Sequence, residues 1–285
     1  MPPMTRPETE LEHDWLGACR NATRGVQALL DAAPTSAERV IEVGTRGEGG
    51  DQTLVIDAAA EQCVFDELER LHDEGARFTA VSEERGIVEY GSDELLVVID
   101  PIDGSLNAKR GMPHHAVSIA VASGPTMADV DCGFVYDFGP KEEWRATRGE
   151  GAFLNDVKIA AGAERRDRKG RLEIVAIETA WPKMLKAAAD DLEAKVYRVR
   201  AMGTIAVSMC QVAAGRADGM ASLGGCRAID AAAAQLIIRE AGGLVQFGHD
   251  SAQPLAHPLD LPPHGPVLAA LTERGLADVS TLPVV

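Results

Sequence analysis

The spacing of apolar residues predicts two helices near the start of the chain. Between Leu11 and Ala33, apolar side chains recur every three or four residues, and Pro34 ends the pattern, which indicates an amphipathic helix. A strand-like run, RVIEV, follows at 39–43. The next stretch, 44–52, has four glycines and is predicted to be a mobile loop. A second helical pattern then runs from Ile56 to Leu71.

Short β-rich runs dominate the next part of the chain. RFTAVSEE, LLVVIDP, AVSIAVAS, DCGFVYDF, EWRATRG and GAFLND are separated by Gly, Pro and Asp, which favours a meandering antiparallel sheet. The polar segment 162–171 is predicted to be a surface loop. Strands (LEIVAIET, KVYRVR, ADGMASL) and helices (182–193, 203–215, 230–241) then alternate, as in an α/β layer, before a loop over 248–266. We therefore expect an N-terminal α+β half, 1–165, and a C-terminal α/β half, 166–285.

Composition and charge narrow the class of protein. The chain has 285 residues, enough for a substantial core, and its 28 Lys and Arg against 44 Asp and Glu give a net charge of −16. This charge argues against non-specific binding to nucleic acid or anionic membranes. Five scattered cysteines without a C-x-x-C pair favour free thiols in a reducing compartment. With no signal-peptide pattern and no apolar run near the roughly 18 residues that span a bilayer, we expect a soluble cytoplasmic protein.

Two aspartates end one of the apolar runs, in VVIDPIDGSLN. Pro101 stops the strand and Gly104 permits a tight turn, so Asp100 and Asp103 can converge on one point. Together with the Ile102 carbonyl they offer the hard oxygen ligands that suit Mg²⁺. The alternative is an Asx-type turn, in which the aspartates only accept hydrogen bonds from nearby backbone N–H groups.

Further acids occur at similar places along the chain. Glu83 and Glu84 end the run FTAVSEE, and Asp230 begins a helical run. Taken singly, they would be a solvated surface pair and a helix N-cap. Taken together with the two aspartates, they suit a site for two or three Mg²⁺ ions. Backbone N–H groups of 104–107 can bind an anion beside these metals, which indicates hydrolysis of a phosphate ester by metal-activated water.

The motifs SEE, DPIDGSLN and IDAAAA…EAGG, in this order and at these separations, resemble the inositol monophosphatase and fructose-1,6-bisphosphatase superfamily of Mg²⁺-dependent, lithium-sensitive sugar phosphatases. The resemblance implies an α+β fold, a layered αβαβα sandwich, and a homodimer. The metal set that it implies is Glu83, Asp100, the Ile102 carbonyl, Asp103 and Asp230. It also implies that the backbone of Gly104 and Ser105 binds the phosphate.

The resemblance implies roles for other residues too. Asp57 and Ser105 would orient or deprotonate the attacking water, with Glu83 as a third catalytic residue. Glu84 is a weaker candidate, behind the metal ligands. The substrate contacts that it suggests are Gly203, Thr204, Ile205, Arg200 and Arg227, although isolated arginines are more often surface residues. His114 and His115 are interpreted as packing residues of the pocket wall.

Two departures from the family pattern leave the substrate open. Ile229 stands where many members have Trp, and SLGGCRAID lacks the acid that contacts inositol in animal-type enzymes. Both features resemble the archaeal and bacterial branch, in which inositol-1-phosphate and fructose-1,6-bisphosphate activities overlap. We expect inositol-1-phosphate first and fructose-1,6-bisphosphate close behind, with histidinol phosphate, nucleotide 3′-phosphates and NADP as alternatives. The different-class alternative is a non-catalytic, metal-binding regulatory protein.

Overall fold

The computed structural model describes residues 11–34, 39, 42–46, 52–248 and 252–283. Strands β1 (Glu42–Arg46) and β2 (Gln52–Leu54) form an antiparallel pair. The predicted loop over 44–52 is therefore wrong at both of its ends, and its middle, 47–51, lies outside the described residues. The predicted strand at 39–43 begins later than expected, at Glu42.

The two predicted helices are confirmed as α1 (Trp15–Ala32) and α2 (Val55–Asp73). Their apolar faces pack together and against one sheet, in a core that includes Leu30 and Phe65. The buried Arg39 lies at the end of α1, where its guanidinium donates to the Leu30 carbonyl at 3.0 Å. A helix leaves its last carbonyls without intrahelical donors, so this contact completes the end of α1.

The β-rich runs form a seven-stranded sheet. Its strands are β3 (Phe78–Ser82), β4 (Gly86–Asp103), β5 (Ala116–Ala122), β6 (Val130–Asp137), β7 (Glu142–Thr147), β8 (Gly151–Leu154) and β9 (Val157–Ile159), in that order across the sheet. From β4 to β9 the pairs are antiparallel, as predicted. Strand β3 pairs with both parts of the long β4: Ala80 lies opposite Val88 in the early part, where the register is antiparallel, and opposite Val97 in the late part, where it is parallel.

The alternating part of the chain forms a second sheet and its helices. The strands β10 (Leu172–Glu178), β11 (Val196–Arg200), β12 (Gly219–Ser222), β13 (Leu244–Phe247) and β14 (Val267–Ala270) lie in the order β11-β10-β12-β14-β13. The helices of this part are α4 (Pro182–Lys195), α5 (Ile205–Ala213), α6 (Ala228–Glu240) and α7 (Glu273–Ser280). A further short helix, α3 (Ser105–Arg110), lies earlier in the chain, directly after β4. The sequence patterns predicted α4, α5 and α6, but not α3, α7, β13 or β14.

Three apolar cores define the layers. One lies between the pair α1/α2 and the seven-stranded sheet, a second lies between the two sheets around α5 and α6, and a third lies between the five-stranded sheet and α4/α7. The predicted αβαβα sandwich is thus confirmed. The division at 165/166 stays a prediction, and α6, from the second half, packs against strands of the first. No helix in the described ranges is both long and apolar enough to cross a membrane.

The contact between β6 and α6 is close enough to require glycine. A Cβ on Gly133 would lie 2.5 Å from the carbonyl oxygen of Ala233, and backbone cannot turn aside as a side chain can. We expect Gly133→Ala to lower the free energy of unfolding by about 1–3 kcal/mol, the usual range for overpacking, as measured by urea denaturation. Gly162→Ala is the control, since the nearest atom to its new Cβ is 4.0 Å away. Equal stability of both variants would contradict this packing.

Candidate active site

Four acids from three parts of the fold lie at one place, largely buried. Glu83 follows β3, Asp100 and Asp103 belong to the end of β4, and Asp230 lies in the first turn of α6. Asp100 is 1% exposed, Asp103 7% and Asp230 8%. The side chain of Glu83 is 16% exposed, so the alternative of a solvated surface pair does not hold for it. The structure thus places near one another the four carboxylates that the family resemblance implied as a metal set, and their role as metal ligands stays a prediction.

The turn after Asp100 has the features of an Asx turn as well. The N–H of Ile102 donates to Asp100 Oδ1 at 2.9 Å. Gly104 then adopts a φ of 83°, which favours glycine, and a Cβ there would lie 2.9 Å from the His114 carbonyl oxygen and 3.1 Å from that of Gly203. Gly104 is therefore required twice, by its backbone angle and by the space around it.

A second loop holds the Asp103 carboxylate. The Thr204 hydroxyl and the Ala206 N–H both donate to Asp103 Oδ2, the latter at 2.7 Å. Burial raises the pKa of Asp103 to about 8, the negative charge of Asp230 adds to the rise, and the two hydrogen bonds oppose it. The ionised form of Asp103 is therefore disfavoured by burial and by Asp230, while two hydrogen bonds fix the position of its carboxylate.

Arg227 lies among the acids. Its Nη1 donates to Glu83 at 2.6 Å and its Nη2 to Asp230 at 2.9 Å. Burial alone would lower the pKa of Arg227, but the charges of Asp230, Glu83 and Asp100 outweigh it and raise the pKa. The alternative interpretation of Asp230 as an N-cap does not hold: Arg227 is the N-cap residue, and Asp230, three residues later, accepts its backbone N–H at 3.2 Å.

The other two acids carry related pKa shifts. Burial raises the pKa of Asp100 well above its usual value, and the charges of Glu83, Asp103 and Asp230 raise it further. Burial also raises the pKa of Glu83, although Arg227 opposes this rise. These shifts follow from the proximity of the four carboxylates, for which the Arg227 guanidinium is the counter-charge.

The chemistry of this cluster fits Mg²⁺. Within the described part of the chain, no group of three or more His, Cys, Asp or Glu side chains is already arranged as a metal cage. The donors are nevertheless carboxylates beside the Ile102 carbonyl, and hard oxygen ligands are those that Mg²⁺ takes. Arg227 bridges Glu83 and Asp230, so a metal between these two acids requires the guanidinium to leave them.

The predicted catalytic and phosphate-binding residues lie on two helix starts. Ser105 is the first residue of α3, directly after Gly104. The first N–H groups of a helix have no intrahelical acceptor, so this backbone has donors to offer an anion. Asp57 is buried in the first turn of α2. The pairing of Asp57 with Ser105 stays a prediction.

The predicted substrate contacts are divided between two places. Gly203 and Thr204 adjoin the acid cluster through Asp103, and Ile205 begins α5. Arg200 is exposed on the edge strand β11, where it lines a cavity of about 480 Å³. Arg227 is not a surface residue, since its partners are Glu83 and Asp230. Whether any of these side chains contacts a substrate stays a prediction.

The two histidines pack as expected for pocket-wall residues. His114 has a φ of 65°, and its Nδ1 lies 3.1 Å from an oxygen of the buried Asp137. His115 is buried, its ring stacks on Phe138 with 5.7 Å between centroids, and burial lowers its pKa.

Sequence reasoning missed Glu61, which supports the turn that carries Glu83. Glu61 is 2% exposed, and its Oε1 accepts the N–H groups of Glu84 and Arg85, each at 3.2 Å. A signal for it existed, because it lies four residues after Asp57 and thus on the same face of α2.

Two further residues were missed on the other side of the site. Asn107 Nδ2 donates to the His114 carbonyl at 2.8 Å and to the Met202 carbonyl at 2.6 Å, which joins α3 to the loop before α5. Glu178 ends an apolar strand, just as Asp100 lies near the end of one, and this similarity was the available signal.

Comparison with known proteins decides the family. The sequence profile described as the inositol monophosphatase family matches residues 11–282. The chain belongs to the inositol monophosphatase family. A protein named fructose-1,6-bisphosphatase/inositol-1-monophosphatase, from Methanothermobacter thermautotrophicus, is 33% identical over 243 residues, 81% of this chain and 83% of that protein. A Nus factor SuhB from Pasteurella multocida is 36% identical over 198 residues, 68% of this chain and 71% of that protein.

Solved structures of the inositol monophosphatase family share the fold. One described as an inositol monophosphatase-fructose 1,6 bisphosphatase superposes with a TM-score of 0.79 at 27% identity, over 94% of this chain and 98% of that one. The extragenic suppressor protein SuhB of Bartonella henselae superposes with a TM-score of 0.74 at 26% identity, over 93% of this chain and 96% of that one.

The raised pKa values predict how the metal-free protein responds to pH. The pKa of Asp103 is about 8 in the folded state, against about 4 for an ordinary Asp, so the folded state binds the extra proton between these values. Stability is then greatest below about pH 4 from this group and is lost as the pH rises toward 8. We expect the Tm in EDTA to fall between pH 6 and pH 8, and to fall less in Asp103→Asn.

Asp93→Asn is the matched control, because Asp93 is exposed on the same strand, β4. It should keep the wild-type slope. A slope that Asp103→Asn leaves unchanged would show that this carboxyl does not titrate in that range.

Proposed function

We propose that this chain is a Mg²⁺-dependent phosphomonoesterase that hydrolyses a sugar or polyol phosphate, with inositol-1-phosphate as the first candidate. The observation that carries the proposal is the buried cluster of Glu83, Asp100, Asp103 and Asp230. In the described part of the chain, Arg227 is the basic side chain that pairs with these acids, through Glu83 and Asp230. Members of the inositol monophosphatase family generally use Mg²⁺. A set of hard oxygen donors that repel one another in a buried place suits a dication better than it suits a structural role.

The chain's own residues divide the work of the reaction. Glu83, Asp100, Asp103, Asp230 and the Ile102 carbonyl would hold two or three Mg²⁺. When bound, Mg²⁺ acidifies water and neutralises charge that develops on the leaving oxygen.

The remaining groups bind the substrate and the water. The N–H groups of Gly104 and Ser105 would bind the phosphate oxygens, as helix starts do. The Ser105 hydroxyl and the Asp57 carboxylate would orient the attacking water and accept its proton. The attack is direct, so no covalent intermediate with the protein is needed.

The choice of phosphate ester rests on a relative and on one departure from the family pattern. The relative from Methanothermobacter thermautotrophicus is named for both fructose-1,6-bisphosphatase and inositol-1-monophosphatase activities, and Ile229 replaces the family's common Trp. A screen of the purified protein with Mg²⁺ against both esters, histidinol phosphate, nucleotide 3′-phosphates and NADP would rank them. Arg200 lines a cavity of about 480 Å³, and its positive charge is the reason for including the bisphosphate in the screen.

A second candidate is a non-catalytic regulatory role, and it has a specific observation behind it. Several relatives, including one from Escherichia coli that is 35% identical over 241 residues, are named Nus factor SuhB. Mg²⁺ binding without release of phosphate from any ester in the screen would favour this role. The homodimer, the cytoplasmic location and the lack of a nucleic-acid partner stay predictions, and light scattering would test the first.

Removing one metal-binding carboxylate should abolish turnover. We expect Asp103→Asn and Asp230→Asn each to lower Mg²⁺-dependent phosphate release by at least about 100-fold, because a ligand charge is lost while the side-chain shape is kept. Circular dichroism should show an intact fold. Asp93→Asn, exposed on β4, should retain wild-type turnover. Near-normal release by either ligand variant would refute the assignment.

Lithium should inhibit the enzyme. The expectation comes from the family resemblance, in which Li⁺ takes one of the metal positions. Phosphate release measured at fixed substrate with increasing LiCl should fall, whereas equal concentrations of KCl should leave it unchanged. Insensitivity to Li⁺ would remove this chain from the lithium-sensitive group and leave the metal mechanism in place.

A further inference from the structure

A buried carboxylate outside the acid cluster holds the loop that contacts Asp103. Glu178, at the end of β10, is 3% exposed. Its Oε1 accepts the Met202 N–H and its Oε2 the Gly203 N–H, both at 2.9 Å, and the Ser208 hydroxyl donates to Oε1 at 2.5 Å. One side chain therefore fixes both the loop before α5 and the first turn of α5.

The residues between these contacts are the ones that reach the acid cluster. The Thr204 hydroxyl and the Ala206 N–H donate to the same oxygen of Asp103. Both lie within the segment 202–208 that Glu178 holds. The position of the Asp103 carboxylate therefore depends on the backbone of the segment 202–208, which Glu178 holds.

The packing leaves the loop little freedom to move without Asp103. The Gly203 carbonyl oxygen would be 3.1 Å from a Cβ on Gly104, and a Cβ on Gly203 would be 2.9 Å from Asn107 Nδ2. Asn107 in turn donates to the Met202 carbonyl at 2.6 Å. A shift of this loop is thus transmitted to the turn that carries the predicted metal and phosphate groups.

Stability alone is a poor reason for a carboxylate at this position. Burying a carboxylate costs several kcal/mol, which its hydrogen bonds offset only in part, and burial indeed raises the pKa of Glu178. An ionised carboxylate does bring one property that an apolar residue lacks, because its charge-assisted bonds fix two adjacent backbone N–H groups at once.

We propose that Glu178 is a positioning residue that holds the segment 202–206 and, through Thr204 and Ala206, places the Asp103 carboxylate for metal binding. The inference rests on the proposed function, since it takes Asp103 as a Mg²⁺ ligand. The hydrogen bonds of Glu178 go to Met202, Gly203 and Ser208, so in this scheme it acts on Asp103 through this segment and does not contact the substrate.

Titration calorimetry with MgCl₂, without substrate, tests the proposal. We expect Glu178→Ala to weaken Mg²⁺ binding by about 10–100-fold, the usual effect of losing a group that orients a metal ligand. Glu178→Gln should behave similarly, because in either orientation its NH₂ group faces a backbone N–H. Glu173→Gln, half-buried on the same strand, is the control and should bind Mg²⁺ as the wild type does. Wild-type affinity in Glu178→Gln would overturn the proposal.

A double-mutant cycle separates positioning from general loosening. Thr204→Val removes the hydroxyl that donates to Asp103 while keeping the side-chain volume. If Glu178 acts through this contact, the double variant should bind Mg²⁺ about as weakly as Glu178→Ala alone. Losses that multiply would show two independent effects and would overturn the proposal. If Glu178→Ala does not fold, Glu178→Asp replaces it in the cycle, since it keeps a shortened carboxylate.

Amide hydrogen exchange gives a readout that needs no metal. In Glu178→Ala the N–H groups of Met202 and Gly203 should exchange faster, and so should that of Ala206, whose acceptor is Asp103. Faster exchange at 202 and 203 with no change at 206 would overturn the coupling. The proposed function would be refuted by a different result, namely that the wild type releases phosphate from no ester. In that case the exchange experiment would still decide whether Glu178 positions the segment 202–206.

Discussion

The repulsion among buried carboxylates is the constraint on which the rest of the structure depends. At an effective dielectric constant of about 20, two unit charges 4 Å apart repel by about 4 kcal/mol, and here four acids share one region. Three features reduce this repulsion: the Arg227 guanidinium, the N–H donors to Asp103, and raised pKa values that favour protonation. None of the three features removes the repulsion completely, so the cluster would be stabilised further by a divalent cation.

Different layers of the sandwich contribute the acids and the groups that reduce their repulsion. The seven-stranded sheet delivers Asp100 and Asp103, and α6 delivers Asp230 and its N-cap residue Arg227. The α6 helix can approach because β6 has a glycine where its backbone passes. The five-stranded sheet contributes from the far side, through the carboxylate at the end of β10. The site is therefore a product of both sheets and not of one strand end.

Much of this could be predicted from the sequence, and the limits have physical causes. Periodic apolar residues identified α1 and α2, and the alternation of strand-like and helical segments identified α4, α5 and α6, of which α5 and α6 are buried along almost their whole length. The short α3, β13, β14 and α7 carry too few residues for a period to stand out. The acids of β4 were found from their local pattern of strand, proline and glycine. Arg227 was misjudged because its partner Glu83 lies 144 residues away, and Glu178 was missed because its partners lie 24 to 30 residues after it.

That distance has a consequence for how the protein is made. Arg227 lies 144 residues after Glu83, and Thr204 lies 101 residues after Asp103. Synthesis from the N-terminus therefore produces three of the acids, Glu83, Asp100 and Asp103, well before the groups that balance and hold them. Closing such long loops is slow, so these contacts form late in folding. A growing chain that stops short of Arg227 and α6 carries three of the four acids without the guanidinium that balances them, so the site is complete only after α6 has been made.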